Sequence, residues 1–143
     1  MTISSICSAL QTRHAAITGV KVATTVYPPS IEASDCPCVL VDPWRGKTSW
    51  ETYGGDLAIV ERVYRVRVFC QPAVFNLDQG KQAAITLLEA FMQSYKDSAT
   101  VTSAATILIE RAVEDTGVVE TLAYGENAYI GFTVLLPIEE RDE

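Results

Sequence analysis

The chain has 143 residues, 48% of them apolar, and 18 acidic against 11 basic side chains leave a formal net charge of −7. That length fits one domain able to bury roughly 70% of the surface its unfolded chain exposes, so no disulfide or metal is required to hold a core. The negative balance argues against tight nucleic-acid binding, because it repels phosphate backbones, and no apolar run approaches the ~20 residues that cross a bilayer.

The opening residues place no basic region ahead of an apolar stretch, so no secretory signal is expected and the chain reads as cytoplasmic at synthesis. Ile3, Ile6, Cys7, Leu10, His14 and Ile17 recur at helical spacing and predict an amphipathic helix over 3–17. Gly19 is its natural stop, and Thr2 or a following serine its cap. Residues 20–26 read as a short strand ended by Pro28 and Pro29, which cannot donate to a ladder. Cys36 to Val41 forms a second strand, apolar enough for burial on both faces, with Pro37 at its start.

Residues 42–56 look irregular or hairpin-like and hold both tryptophans, Trp44 and Trp50, with Arg45, Lys47, Tyr53 and three glycines. The clearest strand spans 58–70, where Tyr64, Val66, Val68 and Cys70 alternate with Val63, Arg65, Arg67 and Phe69. One face is apolar; the other turns two arginines to solvent or a partner. Leu77 to Tyr95 is the longest helix, with Asn76 and Gln79 resembling a capping box. Its stripe of Leu77, Ala84, Leu88, Phe91 and Tyr95, with Ile85 and Met92 beside it, is expected to lie on the sheet.

Strands are predicted over 106–113, 118–124 and 128–136, separated by turns at Asp115-Thr116-Gly117 and Gly125-Glu126-Asn127. Pro137 is read as the end of the last strand. Residues 1–138 are then one α+β domain, with a mostly antiparallel or mixed sheet and two helices packed on it, and 139–143 an acidic, frayed tail.

Chemistry-bearing patterns are thin. Cys7, Cys36, Cys38 and Cys70 form no C-x-x-C pair and read as reduced, buried hydrophobes. His14 has no nucleophile or orienting carboxylate at readable spacing and reads as structural. Gly46-Lys47-Thr48 imitates the end of a P-loop, but Val41 stands where its first glycine belongs. Glu110, Glu114 and Asp115 read as a solvated edge. No catalytic, cofactor or metal site is predicted, and the chain is expected not to be an enzyme.

The order of these segments resembles the tail terminator family of long-tailed bacteriophages. The resemblance rests on the opening helix ending near Gly19-Val20-Lys21-Val22, the Tyr27-Pro28-Pro29-Ser30-Ile31 segment and Cys36 to Val41. After a polar loop come Tyr64 to Phe69, the helix from Leu77, and the closing strand Tyr129 to Val134. It implies a homo-oligomeric ring, a hexamer, at the head-proximal end of the tail tube, in the virion after assembly in the host cytoplasm. Such a ring stops tube polymerisation and docks head-completion or neck proteins. A domain of this length has a diameter of about 37 Å. Six such spheres leave a hole one sphere wide, so DNA would pass through the lumen without specific binding. A closed heterologous interface cannot extend as a filament. Trp, Tyr and Arg dominate interface hot spots, which makes Trp44, Arg45, Lys47, Trp50 and Tyr53 of the loop, with Arg65 and Arg67 of the strand, the expected assembly surface. Competing readings are another head–tail connector, a small-ligand or peptide-binding module, and a hydrolase or transferase using carboxylates.

Overall fold

A computed structural model describes residues 3–49, 59–73, 77–102, 105–108 and 118–141. The chain opens with helix α1 (Ile3–Ala15), strand β1 (Val22–Thr24), a single 3-10 turn (Ala33–Asp35), and strands β2 (Cys38–Ser49) and β3 (Ile59–Pro72). Helix α2 (Leu77–Asp97) follows, then β4 (Thr100–Thr102), β5 (Ala105–Ile107), β6 (Val118–Tyr124) and β7 (Asn127–Arg141). The strands form one mixed sheet in the order β1-β2-β3-β7-β5-β4, with β6 also paired to β7. Only β1–β2 is parallel among the described pairs. The α+β class, with two helices on a largely antiparallel sheet, is the expected one.

Alternation decides which side of the sheet becomes the core. Tyr64, Val66 and Val68 of β3, Val39 and Val41 of β2, and Ile130 to Ile138 at every second position of β7 share one face and are buried. Ile6, Cys7, Leu10 and His14 of α1 and Ala84, Leu87, Phe91 and Tyr95 of α2 are the buried helix positions that close over it. Phe91 stands edge-on to Phe132, with centroids 5.5 Å apart. Leu77, read as the start of the α2 stripe, instead points to solvent at 58% exposure. Asn76, its expected cap, lies outside the described residues.

The opposite face has a smaller cluster. Ile31, Cys36, Cys38, Leu40, Phe69 and Tyr129 are buried there beneath the segment that joins β1 to β2. The Tyr129 hydroxyl donates to the Ile31 carbonyl at 2.6 Å, and the Tyr124 hydroxyl to that of Pro28. Cys38 to Val41 is therefore covered on both faces, as its apolar run implies. The Cys36–Pro37 peptide bond is cis.

Several boundaries depart from the sequence expectation: α1 stops at Ala15, β1 is confined to Val22–Thr24, and β3 runs on to Pro72. Of the two readings of residues 42–56, the hairpin is the one seen over 42–49, which continues β2 past Val41 and pairs with β3 as far as Ser49↔Ile59, with a bulge between Pro43 and Arg45. The second strand also begins at Cys38, since Cys36 and Pro37 precede it. Most consequentially, β7 does not stop at Pro137. It pairs with β3 through Ile59↔Arg141, so residues 139–141 belong to the sheet and not to a frayed tail. The Pro137 carbonyl accepts from Leu108 N at 2.8 Å, on the β5 side. A residue in a strand points N and C=O the same way, so the donor that proline lacks faces away from β3 and costs that ladder nothing. Beyond Ile107, the predicted 106–113 strand and its Asp115-Thr116-Gly117 turn fall largely outside the described residues.

Candidate functional site

Both helices occupy one side of the sheet, and among the described residues the other side is covered where the β1–β2 connection crosses it. The uncovered part centres on β3 and β7, where register puts Asp42 opposite Arg65, and Leu40 and Thr133 either side of Arg67. The bulge before Arg45 makes Trp44 the unpaired residue of β2. Its indole is half-exposed, at 50%.

Arg65 is fully engaged. Its Nη2 donates to Asp42 Oδ2 at 2.7 Å and its Nε to Oδ1 at 3.3 Å, a two-pronged grip on one carboxylate. The guanidinium carbon lies over the Trp44 ring, 4.2 Å from its centroid, close enough for a cation–π contact. The bond to Asp42 raises the Arg65 pKa further above its ordinary value, against the effect of burial. The Tyr27 hydroxyl donates to the same Asp42 carboxylate. Arg67 is placed differently. Its guanidinium carbon sits 5.5 Å from the Tyr27 ring and 5.8 Å from the Phe69 ring, and its buried Nε has no acceptor among the described residues. Between these groups lies a concavity of about 300 Å³. The two arginines, Glu120 and Thr133 supply its polar lining, and Trp44, Leu122 and Leu135 its apolar lining.

Three of the seven expected interface residues are thus brought together: Trp44, Arg65 and Arg67. Arg45 and Lys47 lie further along β2, opposite Val63 and Glu61 in register. Trp50 and Tyr53 lie outside the described residues. Asp42, Tyr27 and Glu120 were not singled out in the sequence. Asp42 had a usable signal, because strand pairing of residues 38–42 with 65–69 would set an acid against one of two arginines.

The other chemistry-bearing groups are enclosed. His14 is fully buried, with Nε2 2.7 Å from the Tyr95 hydroxyl and its ring stacked on Phe91 at 5.2 Å. Burial, and secondarily the Arg13 charge, lowers its pKa from 6.5 to about 3. Burial also pushes Tyr95 up, so both partners are neutral near pH 7. Arg13 donates from Nη2 to the carbonyls of Ser94 and Ser98 and so caps the end of α2. An open hollow of about 600 Å³ beside it is lined by Ile17, Gln93 and Asp97 among others.

All four cysteines are free and buried. Burial raises Cys7, Cys36 and Cys38, the last two to about 11, and Cys70 to about 12, so the thiols stay protonated and unreactive. Among the described residues no three His, Cys, Asp or Glu side chains are placed to hold a metal ion, and no helix is long and apolar enough to cross a membrane. No protein-family model matches the chain, and no curated protein is significantly similar to it.

Proposed function

We propose that the chain is a tail terminator: a subunit that closes with its copies into a ring, a hexamer, on the head-proximal end of a phage tail tube. In that role it halts tube growth and presents a docking surface to a head-completion or neck protein, while DNA passes through the lumen unbound. The observation that carries this reading is the half-exposed Trp44 stacked on Arg65 on the side of the sheet opposite the helices. Tryptophan and arginine are among the residue types enriched in interface hot spots. Here the pair is already ordered by Asp42 before any partner arrives, which lowers the entropy lost on docking. The order of elements adds support, since it follows the order on which the family resemblance rests.

Electron microscopy of the purified protein, alone and mixed with tail tubes, tests the reading. Closed rings, or density capping one tube end, are expected. A protein that neither associates nor binds a tube end overturns it.

A further inference from the structure

The concavity beside Trp44 holds two arginines in unlike situations. Arg65 has its fork on Asp42, and the pair is electrically closed. Arg67 has no carboxylate within ion-pair distance among the described residues, and its Nε is buried without an acceptor. A buried donor left without an acceptor is destabilising. A guanidinium offers a planar set of donors that matches one carboxylate, and its neighbours here are ring faces that accept no such bond.

The remaining lining limits what can be accepted. Glu120 faces the same space and has no ion-pair partner among the described residues. One unmatched cation beside one carboxylate tolerates a monoanion and opposes a dianion such as a phosphate monoester. Trp44, Leu122 and Leu135 provide an apolar side, and Thr133 a hydroxyl. At about 300 Å³ the space is at the small end of ligand pockets.

We propose that this concavity is a carboxylate site, in which Arg67 anchors one carboxylate and Trp44, Leu122 and Leu135 hold the apolar body attached to it. The same chemistry is offered by a free organic acid and by a glutamate side chain next to an apolar residue in a polypeptide. The inference stands whether or not copies of the chain close a ring.

The chain has two tryptophans, so the Trp50→Phe variant leaves Trp44 as the sole indole reporter. Titration of that variant with phenylpropionate is expected to give a saturable change in fluorescence, with no change from the uncharged phenylpropionamide. Arg67→Met should abolish the response, and Arg67→Lys should weaken it at least tenfold. Phenyl phosphate should bind at least tenfold more weakly than phenylpropionate. Glu120→Gln should tighten the carboxylate severalfold and admit phenyl phosphate, a gain of function that a damaged fold cannot imitate. A capped dipeptide amide of phenylalanine and glutamate is the second arm; whichever of peptide and free acid binds tighter identifies the source. Equal responses to acid and amide, or an unchanged response in a folded Arg67→Met protein, overturn the proposal.

Discussion

The Glu140 carboxylate accepts a 2.5 Å hydrogen bond from the Tyr64 hydroxyl in the interior of the protein, and a 2.7 Å bond from Arg62 Nη1 closes the other side. Glu140 is 5% exposed and Tyr64 fully enclosed. Burial and the Glu140 bond together raise the Tyr64 phenol far above its usual range, so it remains the donor. The pair fastens the far end of β7 to β3 from the core side.

Removing one partner of a buried charged pair leaves the other unsatisfied, and that loss exceeds the net worth of the pair. Arg62 is partly exposed, at 29% of its side chain, and can rewet; Tyr64 cannot. Glu140→Ala should therefore lower unfolding stability by about 1–3 kcal/mol, read as a fall in the urea midpoint with an unchanged slope. Glu140→Gln, which keeps an acceptor for Tyr64, should lose less. Equal midpoints for wild type and Glu140→Ala would show that the end of β7 contributes nothing to the fold.

Gly131 sets how closely β3 and β7 approach at their bulge. A Cβ built there would fall 1.9 Å from the Val68 carbonyl oxygen, which is backbone and cannot swing aside. Gly131→Ala should cost about 1–3 kcal/mol through overpacking. Gly125, at φ 61° in the β6–β7 turn with nothing near its missing Cβ, makes the contrast. Gly125→Asn should be close to neutral, because asparagine tolerates that left-handed conformation. Paired thermal melts separate the two mechanisms.

Segments with unlike surroundings on their two faces were the legible ones. Tyr64, Val66 and Val68 alternate with Arg65 and Arg67 because one side of β3 meets the helices and the other meets water, and that difference is written in residue type. The helical spacing of Ile6, Leu10 and His14 is legible for the same reason. The end of β7 was not: a proline followed by Glu139, Glu140 and Arg141 has the composition of a frayed terminus. Pairing with Ile59 to Glu61 of β3 and the bonds from Arg62 and Tyr64 turn it into structure, and those residues lie far away in sequence. The 42–49 stretch was obscured by its proline and glycine, which a bulged strand accommodates. In the candidate site the arginine and tryptophan were recognisable from type alone. Their mutual stacking was not, because it depends on a bulge of one residue.

Assembly is expected to depend on the Trp44 side chain and its continuation along the β2–β3 hairpin. Trp44→Ala removes an exposed indole and little core packing, so circular dichroism and the melting temperature should hardly move. A hot-spot truncation costs about 2 kcal/mol or more, roughly a thirtyfold rise in the concentration at which sedimentation detects the oligomer. Arg45→Ala combined with Trp50→Ala should act in the same direction. If all of these variants assemble at the wild-type concentration, the proposed ring is not closed through this surface.

His14 gives the protein a defined acid limb. Its conjugate acid has a pKa of 6.5 when solvated and about 3 in the fold, so between those values the unfolded chain binds a proton that the native state does not. Stability then rises with pH across that window, and falls on acidification by up to about 1.4 kcal/mol per pH unit. The native state resists protonation for geometric reasons. Nε2 is taken up with the Tyr95 hydroxyl, Nδ1 is buried with no partner among the described residues, and Arg13 is the nearby charge. A cation at His14 would meet no carboxylate among the described residues to offset it. Urea midpoints measured from pH 7 down to pH 4 should therefore decline for the wild type. A His14→Gln variant, less stable at pH 7 because it gives up the stacking on Phe91, should decline much more gently. Parallel declines in the two proteins would place the acid sensitivity in the carboxylates and remove His14 from the explanation.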